Sequence, residues 1–273
     1  MANIHIYQIY YDAVSMAALD PGFIPLDNRS NERPDWFEYH PIRKFFLENK
    51  LADDAYYGFF SPKFGNKTNL SAEKVKKFIV ANEGVDVALF CHLFDQSAFF
   101  PNVFWQGEAH HKGLIDISQE FATDMRIDVD IRNLVTDSTN TIFSNYFVAK
   151  PVFWLKWFDI AEQLYKRAEE ARNGSSLTAA TWHNNAFGSQ QKVFLMERLA
   201  TLLLSTSDIY KVAVYEPTEL PMLPSHIPFV RQLVVLDALK IAYRRLKNKR
   251  YLDEYFAFNN VVSEQVRIRQ GRT

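Results

Sequence analysis

The sequence predicts an α/β protein: a mixed central sheet flanked by helices in a single domain over residues 1–216, followed by a C-terminal helical extension over 217–273. Three observations carry this. Short β-rich runs alternate with amphipathic helical stretches, the pattern of strands and helices sharing one core. Val85–Phe90 is almost continuously apolar, as expected of a strand buried on both faces. No internal repeat or low-complexity linker interrupts the chain.

The elements follow in order. Ile4–Tyr10 alternates and reads as the first strand, ending at Tyr10-Tyr11-Asp12. Residues 20–35 are polar and turn-rich and read as a loop. Trp36–Asn49 is helical, with Phe37, Ile42, Phe45 and Phe46 on its apolar face and Pro41 near its first turn. The aromatic strand Ala55–Phe60 stops at Ser61-Pro62-Lys63, and Ser71 caps a helix over Ala72–Asn82. After the apolar strand, Phe99–Gln106 is irregular and Glu108–Met125 has helical spacing. Thr141–Lys150 reads as a strand, and Pro151 opens a long helix to Arg172, proline being favoured in a first turn. Asn173–Gly188 reads as a loop, Ser189 to about Leu204 as a helix, and Ile209–Tyr215 as a further strand. A last helix, Phe229–Asn248, leads into a basic tail.

Composition narrows the function classes. Of 273 residues, 23 are Phe and 13 Tyr but only 9 Gly, which disfavours a glycine-rich dinucleotide fold and favours aromatic-lined clefts. A formal net charge of −1 gives no global case for nucleic-acid binding. The single Cys91 excludes a disulfide framework and a cysteine-based zinc site. No apolar run reaches the length of a membrane span and the first residues lack signal-peptide character, so the expected location is cytoplasmic. A phosphate-binding Walker loop, a Gly-x-Gly-x-x-Gly turn, a Gly-x-Ser-x-Gly elbow and a His-Glu-x-x-His pair are all missing.

Candidate site residues come from strand ends and from acids or amides set in apolar stretches. An α/β sheet places its binding groups just beyond the carboxyl ends of its strands, so Ser61 and Lys63 form a candidate rim suited to a phosphate. Asp95, with His92, follows the buried strand and could act as a general base or could cap a turn. Glu197 interrupts an apolar helix beside Arg198, so it needs an ion-pair partner or a function. Asn145, an amide in an apolar strand, is either structural or aimed at a sugar hydroxyl, and Lys150 at that strand's end could contact phosphate or merely cap the sheet. Asp128 and Asp130 flank one residue and could ligate Mg²⁺ or Mn²⁺, or be a plain surface pair. Glu108 and His111, three apart, could share a metal or form a solvated first turn. The basic stretch Arg244–Arg250 beside Tyr251, Tyr255, Phe256 and Phe258 could lie peripherally on an anionic membrane, meet a partner protein, or be a solvated helix end.

Four blocks, taken together, resemble the galactosyltransferase-like domains of bacterial glycosyltransferases from capsule and O-antigen polysaccharide clusters. They are Ile4–Tyr11 with Ile24-Pro25-Leu26-Asp27-Asn28; Asp35-Trp36-Phe37-Glu38 leading to Tyr57–Phe64; Asp86–Phe90; and Ser144–Lys150 with the later Glu197-Arg198-Leu199. The resemblance covers residues 4–215. Where those domains carry a His-Tyr-Arg-Arg cluster, this turn has one lysine. No acidic metal pair falls at the usual strand end. The resemblance implies a GT-A-type nucleotide-sugar transferase fold and transfer of a sugar from a nucleotide-sugar donor to a glycan or lipid-linked acceptor. On that expectation Tyr10, Tyr11 and Asp12 hold the nucleoside, Lys63 neutralises the diphosphate, Ser61 and Lys150 belong to the donor site, Asn145 orients the sugar, and Asp95 or Glu197 is the catalytic base or a sugar-binding acid. A non-catalytic carbohydrate-binding or scaffolding protein on the same fold is the alternative.

Overall fold

A computed structural model of the chain describes residues 3–171, 175–183 and 186–269. Its centre is a six-stranded mixed sheet. β1 (Asn3–Tyr10) is followed by a short α1 (Ala13–Ala17) and by β2 (Ile24–Asp27), which pairs parallel to β1 at the sheet edge. Residues 20–35 therefore contain a strand rather than only a loop. β2 is short and largely exposed, so it shows none of the burial-driven alternation that marks a strand in sequence. A 3₁₀ turn, Pro34–Trp36, leads through Phe37 (φ 46°) into α2 (Tyr39–Glu48), so the expected single helix is broken at Phe37. β3 (Ala55–Phe60) pairs parallel to β1 and is buried along its whole length.

α3 (Phe64–Thr68) and α4 (Ala72–Ala81) lead to β4 (Val87–Leu89). α5 (Phe94–Phe99), α6 (Val103–Glu108) and α7 (Leu114–Asp124) follow. The stretch 99–106, expected to be irregular, contains most of α6, which Asn102 caps, and the helix expected over 108–125 starts only at Leu114, because Glu108 ends α6 and accepts from the Gly113 and Ile115 amides at 2.8 and 2.9 Å. Glu108 thus caps α7 rather than holding a metal with His111. β5 (Phe147–Ala149) is much shorter than the predicted strand, because Ser144 and Asn145 both adopt left-handed backbone (φ 57° and 54°) immediately before it. α8 (Pro151–Glu170) opens on its proline as predicted. The expected loop after it contains a hairpin, β6 (Ala180–His183) with β7 (Ala186–Gln190), and α9 (Gln191–Met196) follows, then α10 (Leu199–Ser205) and β8 (Val212–Val214).

The strand order is β2-β1-β3-β5-β4-β8, with β5 antiparallel to both its neighbours and the other adjoining pairs parallel. Successive residues of β3 point to opposite faces. Tyr57 and Phe59 join the larger core with α2, α8, α9 and α10, while Tyr56 and Phe60 join a smaller core under α4. Trp154 of α8 closes the larger core, stacking on Phe147 at 4.4 Å and donating from Nε1 to the Tyr57 carbonyl at 2.8 Å.

The C-terminal extension is a helical hairpin, α11 (Val230–Leu246) and α12 (Lys249–Arg269), where the sequence suggested one helix and a tail. It packs on α5 through Phe94, Leu233, Leu236, Tyr255 and Val262. Part of its charge is structural. Lys240 is fully buried and donates to the carbonyls of Ser97 and Phe100, Asp237 accepts from the Ser138 amide and hydroxyl, and Arg244 pairs with Asp137 at 2.7 Å. Arg245, Lys247, Lys249 and Arg250 remain exposed. Among the described residues no helix is long and apolar enough to cross a membrane.

Candidate functional site

At the carboxyl ends of β1 and β3 lies a cavity of about 450 Å³, within the roughly 300–1,000 Å³ typical of small-molecule sites. Tyr11 leaves β1 into it. The 36–39 turn contributes Trp36, Phe37 and Glu38, and the turn after β3 contributes Ser61, Lys63 and Lys67. Ser144 and Asn145 enter from the approach to β5, and Phe194 and Glu197 from α9 and its end.

Topology explains which predicted residues meet there. Because β5 runs against β3 and β4, the residues before it emerge at the carboxyl ends of the parallel strands, and the residue after it emerges at the opposite edge. Asn145 therefore lines the cavity, whereas Lys150 sits with Asp86 at 3.4 Å on the far edge. Tyr11, Ser61, Lys63, Asn145 and Glu197 come together. Tyr10 is buried beside Asp27 and Arg29 outside the cavity, and Asp12 caps α1 through Ser15. Asp95 is fully buried, accepting from Gln96 Nε2 at 3.0 Å and paired with His226 Nδ1 at 2.7 Å. It holds the 221–229 segment against α5 and lines neither this cavity nor its neighbour.

The cation that the sequence reading lacked is Lys67. It stands four residues after Lys63 across the single turn of α3, so both amines reach the same side. Its Nζ donates to Ser144 Oγ at 3.0 Å and lies 5.7 Å from the Tyr146 ring centroid. Ser61 Oγ and the Tyr146 hydroxyl, 2.6 Å apart, support the floor. Lys67 escaped notice because it sits beyond the Ser-Pro-Lys stop, in a helix too short to show periodicity.

Glu197 and Arg198 separate at the junction of α9 and α10. Arg198 turns inward, donating to the Val103 and Phe194 carbonyls at 2.9 and 2.7 Å and to Gln106 Oε1 at 3.0 Å. Its guanidinium lies against Gly107, where an added Cβ would come within 2.7 Å of Arg198 Cζ. Glu197 is only loosely paired with it, at 3.9 Å, and keeps 43% of its side-chain surface open to the cavity. Enclosure by surrounding protein raises the Glu197 pKa and the Glu38 carboxylate adds to this, while the Arg198 and Lys67 charges oppose it. The pKa of the half-buried Tyr11 phenol is pushed well above its ordinary range by enclosure and by the Glu38 carboxylate.

The Trp36 wall is braced by ion pairs. Lys192 Nζ, almost fully buried, lies 2.6 Å from Asp35 and 4.3 Å from the Trp36 ring centroid. Trp36 Nε1 donates to Glu169 at 2.9 Å, and Arg33 bridges Asp35 and Glu169 at 2.9 and 2.6 Å. Phe37, Ser144 and Asn145 all have positive φ, conformations that cost about 1–3 kcal/mol each and gather where a site over-determines them. Asn145 Oδ1 is buried with no hydrogen-bond partner, a polar atom left available to a ligand.

Among the described residues no group of three or more His, Cys, Asp or Glu is placed to hold a metal ion. Asp128 and Asp130 are exposed in the loop after α7, and Asp130 is engaged in a turn, accepting from the Arg132 amide at 3.0 Å and from Asn133 Nδ2 at 2.8 Å.

A second cavity of about 370 Å³ adjoins the first and shares Lys67, Ser144, Phe194 and Glu197 with it. His92, which follows β4, lines it with Gln106, and the segment 221–223 forms part of its wall. Leu93, also lining it, has φ 64°.

No protein-family model matches this chain, and no curated protein sequence does. Among solved structures it is similar to the apo structure of the bifunctional glycosyltransferase WbbM, with 16% sequence identity and a TM-score of 0.47. That match covers 78% of this chain and 44% of WbbM.

Proposed function

We propose that this protein is a glycosyltransferase of GT-A type that moves a sugar from a nucleotide-sugar donor to a glycan or lipid-linked acceptor, as in the assembly of bacterial surface polysaccharide. The observation that carries the reading is the placement of Lys63 and Lys67 on one wall, and Glu197 on another, of a single cavity at the carboxyl ends of the strands. In transfer, the bond from the sugar's anomeric carbon to the phosphate oxygen breaks and its electron pair leaves on the diphosphate. The two ammonium groups stabilise that developing charge without reorganising, the kind of electrostatic help that dominates such reactions. The acceptor oxygen bonds to the anomeric carbon and its proton passes to Glu197. A carboxylate whose pKa is raised towards neutrality is better matched to this task than an ordinary one. Tyr11, Trp36 and Phe37 supply apolar faces for the nucleoside and the sugar, and Asn145 Oδ1 an acceptor for a sugar hydroxyl.

A thermal-shift screen against UDP-, GDP-, CMP- and dTDP-sugars, with chelator and with Mn²⁺, tests this. At about a hundred times its Kd a donor adds about 2.7 kcal/mol of stability, a shift of several degrees for a chain of this size. If no nucleotide sugar moves the melting temperature, the reading fails. A non-catalytic carbohydrate-binding module draws on the same aromatic walls, and it predicts stabilisation by glycans and none by nucleotides.

A further inference from the structure

The second cavity has features that the donor reading leaves unexplained. It meets the first along a common wall of Lys67, Ser144, Phe194 and Glu197, so a group in one cavity reaches the same carboxylate as a group in the other. His92 lines it, is only 4% exposed, and has an Nδ1 with no hydrogen-bond partner. A buried polar atom left unpaired costs about 1–3 kcal/mol. The Leu93 backbone beside it is held left-handed.

We infer that the second cavity is the acceptor site, that it takes the neutral sugar ring of a glycan, and that His92 hydrogen-bonds one of that ring's hydroxyls while a neighbouring hydroxyl is presented to Glu197. The inference rests on the glycosyltransferase reading of the first cavity. The lining chemistry selects the ligand class. Beyond Lys67, which the donor reading gives to the diphosphate, the cation lining it among the described residues is Arg198, whose guanidinium is already engaged by two carbonyls and Gln106, so an anionic acceptor finds no further charge partner there. Burial and the nearby Lys67 charge lower the His92 pKa to about 3, which keeps the imidazole neutral and able to bond a hydroxyl. Phe143, Phe194 and Met222 offer apolar surface to the C–H face of a pyranose. The Gln106 amide nitrogen supplies a second polar contact, because its oxygen is occupied by Arg198.

The test is histidine-selective ¹⁵N NMR on the full chain. The probes are the methyl α- and β-pyranosides of glucose, galactose, mannose and N-acetylglucosamine, each added alone and with saturating UDP, GDP, CDP or dTDP. At least one glycoside is expected to shift the His92 ring resonances saturably, and with the nucleotide that binds already in place. Loss of one hydrogen bond in His92→Phe weakens that glycoside about three- to tenfold. Leu223→Trp, at a 42% exposed position on the cavity wall, weakens it by blocking entry and keeps the test decisive if His92→Phe does not fold. The proposal is overturned if no glycoside shifts His92, if nucleotide and glycoside exclude each other, or if both variants bind as the wild type does. Nucleotide binding with no glycoside response at His92 rejects this assignment alone. A glycoside response with no nucleotide binding rejects the transferase reading instead.

Discussion

Replacing Lys67 with methionine removes one ammonium from the cavity while keeping an unbranched stem over Tyr146. Lys67 loses its bond to Ser144 Oγ, but Ser144 stays partly exposed and can bond water, so the fold is little affected. The expected effect is on binding of a diphosphate. A unit charge pair at about 4 Å with an effective dielectric of about 20 is worth about 4 kcal/mol, which sets a ceiling. A charge-assisted hydrogen bond contributes about 1.5–3 kcal/mol net, so a nucleoside diphosphate loses about 10- to 150-fold in affinity. Calorimetric titration of the wild type and the variant with UDP, GDP, CDP and dTDP, and with the parent nucleosides, measures it in the presence of chelator. Diphosphate affinity falls, nucleoside affinity holds, and raising the salt narrows the gap as the remaining charge is screened. If the nucleoside weakens as much as the diphosphate, Lys67 acts on the shape of the cavity. If neither changes, it does not meet a phosphate at all.

Three other perturbations have defined outcomes. Glu197→Gln lowers the transfer rate about 10²- to 10⁴-fold; because the base must be ionised and its pKa is raised, wild-type kcat/KM falls with decreasing pH above the ordinary carboxylate range, and the variant lacks that limb. Lys192→Met costs about 1–3 kcal/mol in a denaturant melt, below the usual figure for breaking a buried pair because Asp35 stays 37% exposed and keeps Arg33. Burial raises the Asp35 pKa, but Arg33 and Lys192 outweigh it and bring it to about 2, so this contribution is full above about pH 4 and is lost in the wild type as pH falls towards 2; the melts converge there. Gly107→Ala drives a methyl group into the Arg198 guanidinium and Leu114, destabilises by about 1–3 kcal/mol, and lowers activity by shifting the adjacent Glu197.

What the sequence revealed depended on how strongly burial writes itself into residue pattern. β3 and α8 lie against the core for most of their length, and both were readable, β3 to its ends and α8 to within two residues. β2 is short and mostly exposed, and β6 and β7 are four and five residues long, so neither carried a periodic signal. The shortening of β5 follows from two left-handed residues that are neither glycine nor both asparagine, a choice made by tertiary packing. Among candidate site residues, Tyr11 and Ser61 follow parallel strands and come to one cavity, whereas Lys150 follows the reversed β5 and lies at the opposite edge, and Asp95 is buried against His226.

The antiparallel β5 also accounts for how charge is distributed around the site. Inserted between β3 and β4, it carries Ser144 and Asn145 to the same end of the sheet as the Lys63–Lys67 turn, and Ser144 Oγ accepts from Lys67 there. An ammonium held by a hydroxyl is positioned without being neutralised, so its full charge stays available to an anion. A carboxylate in the same place would cancel it. The carboxylates that do line the first cavity, Glu38 and Glu197, come from other walls, and the Arg198 beside Glu197 is drawn inward by carbonyls rather than towards its neighbour's acid. Two lysines and two carboxylates thus share one space from different walls, with no direct ion pair from either lysine to either acid among the described residues. For a diphosphate leaving group, two lysines give a formal charge of +2, equal to that of a divalent ion. Diphosphate affinity in this cavity should therefore respond to Lys63 and Lys67 and be indifferent to chelator. A titration in which Mn²⁺ restores binding to the Lys67→Met variant would show that the cavity recruits metal ligands the present arrangement does not supply.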